Sequence, residues 1–417
     1  MRKISQVNLT SKDLIELENQ YGAHNYHPLP VVLDRGEGAF VWDIEGRKYF
    51  DFLSAYSAVN QGHSHPRIIN TLVSQAQKLT LTSRAFYNSE LGKYEKYITE
   101  LFGYEKVLPM NTGAEAVETA IKIARKWGYE KKGIPSGEAK ILVCSGNFHG
   151  RTTTIISFSN DEDARNNFNP YTTGFITVEY NDVESLRLAI EKNKDTICGF
   201  LVEPIQGEAG VNVPDEGYLS ACYEICKANN VLFIADEIQT GIARTGKMLA
   251  VDHENLKPDM LILGKALSGG VYPVSAVLAN DEIMDVIKPG QHGSTYGGNP
   301  LACAVAVEAL QVVIDENLAE KAENLGKIFR SEIEKMIPEF SFLKSVRGKG
   351  LLNAVLINDT PESSTAWDLC VEMMNNGLLA KPTHGNIIRF APPLVISEAD
   401  LHAAIEVLRL SFMNFKK

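Results

Sequence analysis

One lysine, Lys265, stands after the apolar run MLILG and before Ser268, Gly269 and Gly270. An amine that is partly removed from water holds its proton less tightly, and it becomes a nucleophile able to form a Schiff base with an aldehyde. Glycines beside such an amine would let the backbone come close to a planar ligand. A lysine after a strand is more often a solvated surface group, so this motif needs support from other residues.

A carboxylate supplies that support, because Asp236 ends the apolar run VLFIAD upstream of Lys265. A carboxylate at a buried strand end costs free energy unless a cation or hydrogen-bond donors meet it. A protonated pyridine nitrogen is such a cation, and an Asp partner keeps a pyridoxal ring acting as an electron sink. The alternative is that Asp236 caps a helix or pairs with Arg244.

Two further motifs could complete a site. In MNTGAEAVETAIKIARK, Thr112 and Gly113 precede an amphipathic helix whose free N–H groups and dipole could bind a phosphate, although most such junctions are simply capped helices. In GNFHGRT, Phe148 could stack on a planar ring and Arg151 could grip a carboxylate through two hydrogen bonds. Each of these residues, taken alone, is more often a core or surface residue.

Other motifs predict competing chemistries. The segment Gly241–Lys247 fits GxxxxGK, the beginning of a nucleotide-binding P-loop, but Met248 replaces the Ser or Thr that would hold magnesium. His63 and His65 could ligate a metal, yet no third ligand stands at a recognised spacing, and a loop turning at Pro66 is the simpler interpretation. We therefore predict no metal site.

Composition excludes several classes of partner. The 41 basic and 52 acidic residues give a net charge of −11, which disfavours nucleic acid and anionic membranes as partners. The apolar runs are too short for a membrane span, and the first twenty residues resemble neither a signal nor a transit peptide, so we predict a cytoplasmic protein. The cysteines show no paired spacing and are predicted to be reduced and mostly buried: Cys144, Cys198, Cys222, Cys226, Cys303 and Cys370.

The order of apolar segments predicts how these residues are positioned. Between about 105 and 280, strand-like runs (ILVCS, TTIIS, FITV, GFLVE, VLFIADE, MLILG, PVSAVLA) alternate with amphipathic segments, which predicts a mostly parallel sheet covered by helices. Ligands of such sheets bind beyond the carboxyl ends of the strands. A helix and a small hairpin are expected before this region. A long helical stretch over 301–336, leading into a second domain, is expected after it.

Taken together in this order, the motifs resemble the fold-type I pyridoxal-phosphate enzymes of the class III aminotransferases. Within that family the chain most resembles the ornithine-specific branch, in the stretches YGAHNYHPLP (21–30), SAYSAVNQGHSHP (54–66), TLTSRAFYN (80–88), EPIQGEAGV (203–211), GSTYGGNP (293–300) and LLAKPTHGNIIRFAPPL (378–394). The resemblance implies an α/β fold with a mostly parallel central sheet, helices on both of its faces and a smaller α+β C-terminal domain. The implied division is an N-terminal segment (1–56), a large cofactor-binding domain (57–305) and a small domain (306–417).

The resemblance also implies a homodimer with shared sites, with pyridoxal 5′-phosphate as the cofactor. Lys265 and Asp236 would be the catalytic residues, Lys265 joined to the cofactor and Asp236 paired with its pyridine nitrogen. Gln239 would contact the ring hydroxyl, and Thr295 would reach the phosphate of the neighbouring subunit's cofactor. The implied cofactor-binding residues are Thr112, Gly113, Ala114, Phe148, Asp236, Ile238, Gln239, Lys265 and Thr295.

The implied reaction is a ping-pong transfer of the δ-amino group of L-ornithine to 2-oxoglutarate, giving glutamate 5-semialdehyde, which cyclises to pyrroline-5-carboxylate, and glutamate. Glu208 would pair with Arg389 while ornithine is bound and release it for the keto acid. The implied substrate-binding residues are Tyr26, Tyr56, Arg151, Glu208 and Arg389. An acetylornithine or 4-aminobutyrate aminotransferase is the alternative within the family. Two positions depart from the ornithine form: His149 stands where Trp is common, and the segment AEAVETA leans toward the acetylornithine branch.

Overall fold

The computed structural model describes residues 9–415. The first eight residues belong to the predicted N-terminal segment and to the stretch used for the cytoplasmic prediction, and they lie outside the described residues. The strands are β1 Leu33–Glu37, β2 Phe40–Asp43, β3 Lys48–Asp51, β4 Lys106–Met110, β5 Lys140–Cys144, β6 Phe175–Val178, β7 Ile197–Val202, β8 Leu232–Asp236, β9 Met260–Leu263, β10 Ser275–Ala279, β11 Leu343–Lys349, β12 Leu352–Ile357, β13 Leu378–Leu379, β14 Lys381–Thr383 and β15 Ile387–Phe390.

The helical segments alternate with these strands through the middle of the chain. They are α1 Ser11–Tyr21, α2 Ser54–Ser57, α3 Pro66–Lys78, α4 Leu91–Phe102, α5 Gly113–Trp127, α6 Glu162–Arg165, α7 Val183–Lys192, α8 Tyr218–Ala228, α9 Asp281–Met284, α10 Pro300–Asp315, α11 Leu318–Met336, α12 Thr365–Asn375 and α13 Glu398–Asn414. None of the helices within residues 9–415 combines the length and the apolar composition needed to cross a membrane.

The central sheet has the strand order β4-β10-β9-β8-β7-β5-β6. Strands β9, β8, β7, β5 and β6 run parallel to one another, whereas β10 is antiparallel to both β4 and β9. The prediction of a mostly parallel central sheet is confirmed.

Helices cover both faces of this sheet, as predicted. Successive residues of a strand point to opposite faces, so Ile141 and Val143 of β5 pack into the cluster that contains α5. Leu142 and Cys144 of the same strand pack into the larger cluster that contains α8 and α10. Because the strands are buried on both faces, they form the continuous apolar runs seen in the sequence.

Two segments differ from the sequence expectation. The TTIIS run is not a strand, because Ile155–Phe158 forms a 3₁₀ turn in which the Ile155 N–H donates to the Thr152 hydroxyl at 3.3 Å. A threonine that bonds nearby backbone in this way competes with a strand ladder. The predicted helical stretch over 301–336 is two helices, α10 and α11, separated at Asn317, which has φ 51°.

Two smaller sheets flank the central one. The predicted N-terminal helix and hairpin are present as α1 and the antiparallel strands β1 to β3, and β13 joins this sheet parallel to β3. The C-terminal part builds an antiparallel sheet in the order β11-β12-β15-β14, against which α11 and α12 pack. A smaller C-terminal domain with its own sheet is thus confirmed.

Arg244 ties these parts together. Its side chain is fully buried and donates to Asn60 Oδ1 at 2.6 and 3.1 Å, to the Leu351 carbonyl at 3.0 Å and to the Pro392 carbonyl at 2.7 Å. Burial lowers the pKa of the guanidinium to about 9. Through hydrogen bonds alone, the arginine therefore joins two backbone carbonyls of the C-terminal domain to Asn60 and its own segment in the large domain.

We expect Arg244→Met to lower the free energy of unfolding by more than about 3 kcal/mol, because three buried oxygen atoms would lose their donors. Urea unfolding followed by circular dichroism measures this change. The control is Arg187→Met on the surface of α7, which should change stability little. Equal stabilities of the two variants would contradict a joining role for Arg244.

Candidate active site

A pocket opens at the carboxyl ends of β8 and β9, where the fold class predicts ligands to bind. It encloses an empty volume of about 650 Å³, part of it open to solvent. Its lining combines one amine, three carboxylates, aromatic and aliphatic side chains and helix N-terminal backbone: Gly113, Ala114, Phe148, His149, Gly150, Glu203, Glu208, Asp236, Ile238, Gln239, Thr240 and Lys265. Most of the sequence-predicted cofactor residues therefore lie together.

Lys265 is the amine of this pocket. It follows β9 directly after Gly264, begins a short 3₁₀ turn, and has φ 44°, in the left-handed region that is uncommon for a side chain of this size. Burial lowers the pKa of Lys265, although the nearby charges of Glu208 and Asp236 oppose that effect. The amine is thereby biased toward its neutral, nucleophilic form.

Asp236 ends β8 with its carboxylate turned toward His149. Nδ1 of His149 lies 2.7 Å from Asp236 Oδ2, and the Ile238 N–H donates to Oδ1 at 3.1 Å. Burial alone would lower the pKa of His149, but the hydrogen bond and charge of Asp236 raise it above its ordinary value. The partner of Asp236 is thus this histidine and not Arg244, which the sequence had left as an alternative.

The N-terminus of α5 forms one wall of the pocket. Thr112 and Glu115 form a reciprocal capping box, in which the Thr112 hydroxyl accepts from the Glu115 N–H and the Glu115 carboxylate accepts from the Thr112 N–H. The box leaves the N–H groups of Gly113 and Ala114, both lining the pocket, without an acceptor among the described residues. The helix is thus capped, and two backbone donors remain that could bind an anion.

An ion pair closes another side of the pocket. Arg389 Nη1 donates to Glu208 Oε1 at 2.7 Å, and Gln239 Nε2 lies 3.3 Å from the same oxygen. Burial would raise the pKa of Glu208, but the charge and hydrogen bond of Arg389 outweigh it and lower that pKa. The Gln239 Oε1 atom is buried and has no hydrogen-bond partner among the described residues.

Tyr56 reaches this ion pair from an unusual turn. Residues Ser54 to Ser57 all have positive φ, between 46° and 72°, and therefore form a left-handed turn although none of them is glycine. The Arg389 guanidinium lies over the Tyr56 ring at 4.8 Å. Burial raises the pKa of Tyr56, so its hydroxyl stays protonated and can donate.

Six of the sequence-predicted residues are not among those that line the pocket. Two of them, Arg389 and Tyr56, adjoin it through the ion pair and ring contact just described, and four remain. Arg151 lines an adjoining cavity that shares Phe148 and Glu208 with the first. Thr112, Tyr26 and Thr295 are exposed in the single chain, with Tyr26 at 71%. The structure of one chain thus brings the arginine near the pocket and leaves the other three at the surface.

The sequence interpretation did not assign a site role to Glu203, Thr240, Gly150 or His149, all of which line the pocket. Glu203 accepts from the Phe148 N–H at 2.8 Å, and burial raises its pKa to about 7. Glu203 could have been predicted from the sequence, because it directly follows the buried strand β7 just as Asp236 ends β8.

The motifs that predicted nucleotide or metal binding lie in structures that do not suit those ligands. The segment Gly241–Lys247 is followed by a 3₁₀ turn at Ala250–Glu254, not by the α-helix that a P-loop requires. His63 bonds Asp51 and His65 bonds Glu316, so the two rings serve separate partners. The six cysteines are free and buried, as predicted.

Known proteins match the chain along nearly its whole length. The family model for class-III aminotransferases matches residues 21–411. The ornithine aminotransferase car2 of Schizosaccharomyces pombe is 60% identical, with 97% of this chain and 94% of the relative covered. The mitochondrial ornithine aminotransferase of Rattus norvegicus is 57% identical, with 99% and 93% covered.

Solved structures of aminotransferases have the same fold as this chain. An acetylornithine aminotransferase from Elizabethkingia anophelis has a TM-score of 0.91 and 63% identity, covering 98% of this chain and 100% of that one. The ornithine aminotransferase from Toxoplasma gondii has a TM-score of 0.94 and 50% identity, covering 97% and 95%. Sequence, fold and pocket agree, and the chain belongs to the class-III aminotransferase family.

Proposed function

We propose that the chain is an ornithine aminotransferase, which moves the δ-amino group of L-ornithine to 2-oxoglutarate with pyridoxal 5′-phosphate as cofactor. The observation that carries the proposal is the Glu208–Arg389 ion pair beside the buried amine of Lys265. A pair that opens lets one pocket serve a cationic amino donor and a dicarboxylate in turn. The relatives named above as ornithine aminotransferases support this substrate choice.

The residues present fit the cofactor. The unpaired N–H groups of Gly113 and Ala114 suit a phosphate, and the unpartnered Gln239 Oε1 suits a ring hydroxyl. Asp236 suits a protonated pyridine nitrogen. A Toxoplasma gondii relative of 50% identity is described with PLP at its active site. When bound, pyridoxal 5′-phosphate supplies an electron sink for the carbon that carries the transferred nitrogen.

Lys265 would transfer the proton during the reaction. Because burial lowers its pKa, the amine can take a proton from the substrate carbon that bears the transferred nitrogen and later return it. His149 would orient the Asp236 carboxylate through the hydrogen bond of its Nδ1 atom. Phe148 and Ile238 line the walls, where they would hold a planar ring and exclude water.

The ion pair would select between the two substrates. While Glu208 neutralises Arg389, the pocket favours ornithine, whose α-amino and α-carboxylate groups would be held by Tyr26, Tyr56 and Arg151. When Glu208 turns away, Arg389 offers its guanidinium to a carboxylate of 2-oxoglutarate. An arginine that is 5% exposed needs an anionic partner in either state.

Acetylornithine is the second candidate substrate, because the Elizabethkingia anophelis enzyme of 63% identity carries that name. An acetylated α-amino group would need no partner of the kind that Tyr56 offers. The phenol of Tyr56 is half-buried near Arg389 and Glu208, and its oxygen could accept a hydrogen bond from an α-ammonium group. This favours a free α-amino group and hence ornithine.

A homodimer with shared sites is part of the proposal. Thr295 and Tyr26 are exposed in the single chain, as are the large side chains of Phe86 and Tyr87. A second copy covering them would bring Thr295 of the partner subunit to the phosphate. The cytoplasmic location stays a prediction, since the rat relative is named mitochondrial and the fission yeast relative is not.

A product assay tests the proposal. The purified holoenzyme is given 2-oxoglutarate with ornithine, acetylornithine or 4-aminobutyrate, and glutamate formation and the trapped cyclic product are measured. We expect ornithine to give the highest kcat/KM. A higher value for acetylornithine would replace the substrate assignment and leave the family unchanged.

We expect Lys265→Ala to retain pyridoxal phosphate, held by the remaining contacts, but to lose transamination by at least about 10²-fold, because the proton-transferring amine is gone. Absorbance after gel filtration reports the cofactor, and single-turnover mixing reports the chemistry. Lys247→Ala, the lysine of the GxxxxGK segment, is the control and should react as the wild type does. Undiminished turnover in Lys265→Ala would remove this residue from the mechanism.

We expect Glu208→Ala to leave Arg389 permanently available and to improve the half-reaction with glutamate relative to that with ornithine by about tenfold. Stopped-flow absorbance of each half-reaction measures the ratio. A ratio equal to that of the wild type would show that the ion pair does not select substrates.

A further inference from the structure

The loop that carries Glu208 is short and closed. Its ends are joined by an isolated bridge between Gln206 and Asn212, whose backbones bond at 3.2 and 2.9 Å. Gly210 has φ 99° and Val211 has φ 57°, so the chain turns sharply through the left-handed region. This substrate loop, residues 206–212, is not part of the central sheet.

Two side chains of the C-terminal domain hold the backbone of the substrate loop. Arg347 donates Nε and Nη2 to the Gly210 carbonyl at 3.0 and 2.7 Å. The Thr383 hydroxyl donates to the Glu208 carbonyl at 2.9 Å. No carboxylate of the described residues forms an ion pair with Arg347. Burial lowers the pKa of its guanidinium, and no nearby charge offsets that effect. Two N–H groups of the guanidinium, Nε and Nη2, therefore donate to the same peptide oxygen.

These anchors belong to the same sheet as the arginine of the ion pair. Across the C-terminal sheet, Arg347 on β11 is registered with Ala354 on β12, and Ala354 is registered with Arg389 on β15. Residues opposite each other in neighbouring strands point to the same face. Thr383 of β14 stands two residues from Lys381, which is registered with Arg389, so it shares this face as well.

The substrate loop packs on that face. Val211 lies in one apolar cluster with Leu352 and Ala354, and a side-chain carbon at Gly210 would lie 2.6 Å from Ile387. The backbone of the loop and the guanidinium of Arg389 are therefore both fixed to one sheet. The Glu208 side chain is the part of the ion pair with freedom to turn.

We propose that Arg347, assisted by Thr383, is a positioning residue that sets substrate selection by fixing the backbone of Glu208 relative to Arg389. The inference rests on the proposed use of the ion pair as a switch between substrates. With the loop fixed, opening requires only rotation of the Glu208 side chain. With the loop loosened, Glu208 is aligned less often with Arg389, and the population with a free Arg389 increases.

The first experiment measures binding without turnover. Glutarate is a dicarboxylate that has neither an amino nor a keto group, so it can occupy the pocket but cannot react. We expect Arg347→Met in the holoenzyme to bind glutarate about tenfold more tightly by calorimetry, because the competing carboxylate is held less well. The kcat/KM of the ornithine half-reaction should fall by a similar factor relative to that of glutamate.

Matched variants separate this role from a general loss of structure. Lys344→Met changes an exposed cation on the same strand and should bind glutarate as the wild type does. Thr383→Val removes one anchor with little change of volume and should shift binding in the same direction, by a smaller factor. Arg347→Lys keeps the charge but loses the fork, and it should fall between Arg347→Met and the wild type.

A double-mutant cycle decides the matter. In a Glu208→Ala background, Arg347→Met should leave glutarate affinity unchanged, because no carboxylate remains to be positioned. An undiminished effect in that background, or weaker glutarate binding in both Arg347→Met and Thr383→Val, would overturn the proposal. If the wild type used acetylornithine in place of ornithine, the glutarate measurements would still test the positioning role, so the two failures are distinguishable.

Discussion

The removal of the Lys265 amine from water is the constraint on which the site depends. Burial lowers its pKa, whereas the carboxylates of Glu208 and Asp236 nearby would restore the proton. Each carboxylate has a partner of its own, Arg389 for Glu208 and His149 for Asp236. Burial has the largest effect on the pKa of Lys265, and the nearby charge of Arg389 lowers that pKa further. The pairing of both carboxylates therefore assists burial in favouring the neutral amine.

Much of this arrangement could be predicted from the sequence, because it follows from where strands end. Asp236 and Lys265 both stand at the carboxyl ends of buried apolar runs, and the parallel sheet brings such ends to one edge. The same reasoning would have found Glu203, had it been applied to β7. The TTIIS run misled the prediction, since buried β-branched residues also suit a tight turn when Thr152 bonds the backbone locally.

Other features could not be predicted, because they depend on contacts between distant parts of the chain. Nothing local to Asp236 indicates that its partner is His149 and not Arg244. The bonds from Arg347 to the Gly210 carbonyl likewise join segments that are far apart in the sequence. The left-handed turn at Ser54–Ser57 also lacks a local signal, because it contains no glycine or asparagine. Each such residue costs about 1–2 kcal/mol, which the surrounding packing must offset.

The junction made by Arg244 has one more consequence. Its guanidinium meets carbonyl and amide oxygens only, and it is sealed from solvent. Dissolved ions weaken attraction between exposed charges but hardly reach contacts of this kind. Cohesion between the large and small domains should therefore be nearly independent of ionic strength, whereas the exposed ion pairs on the outer helices should fade as salt is added.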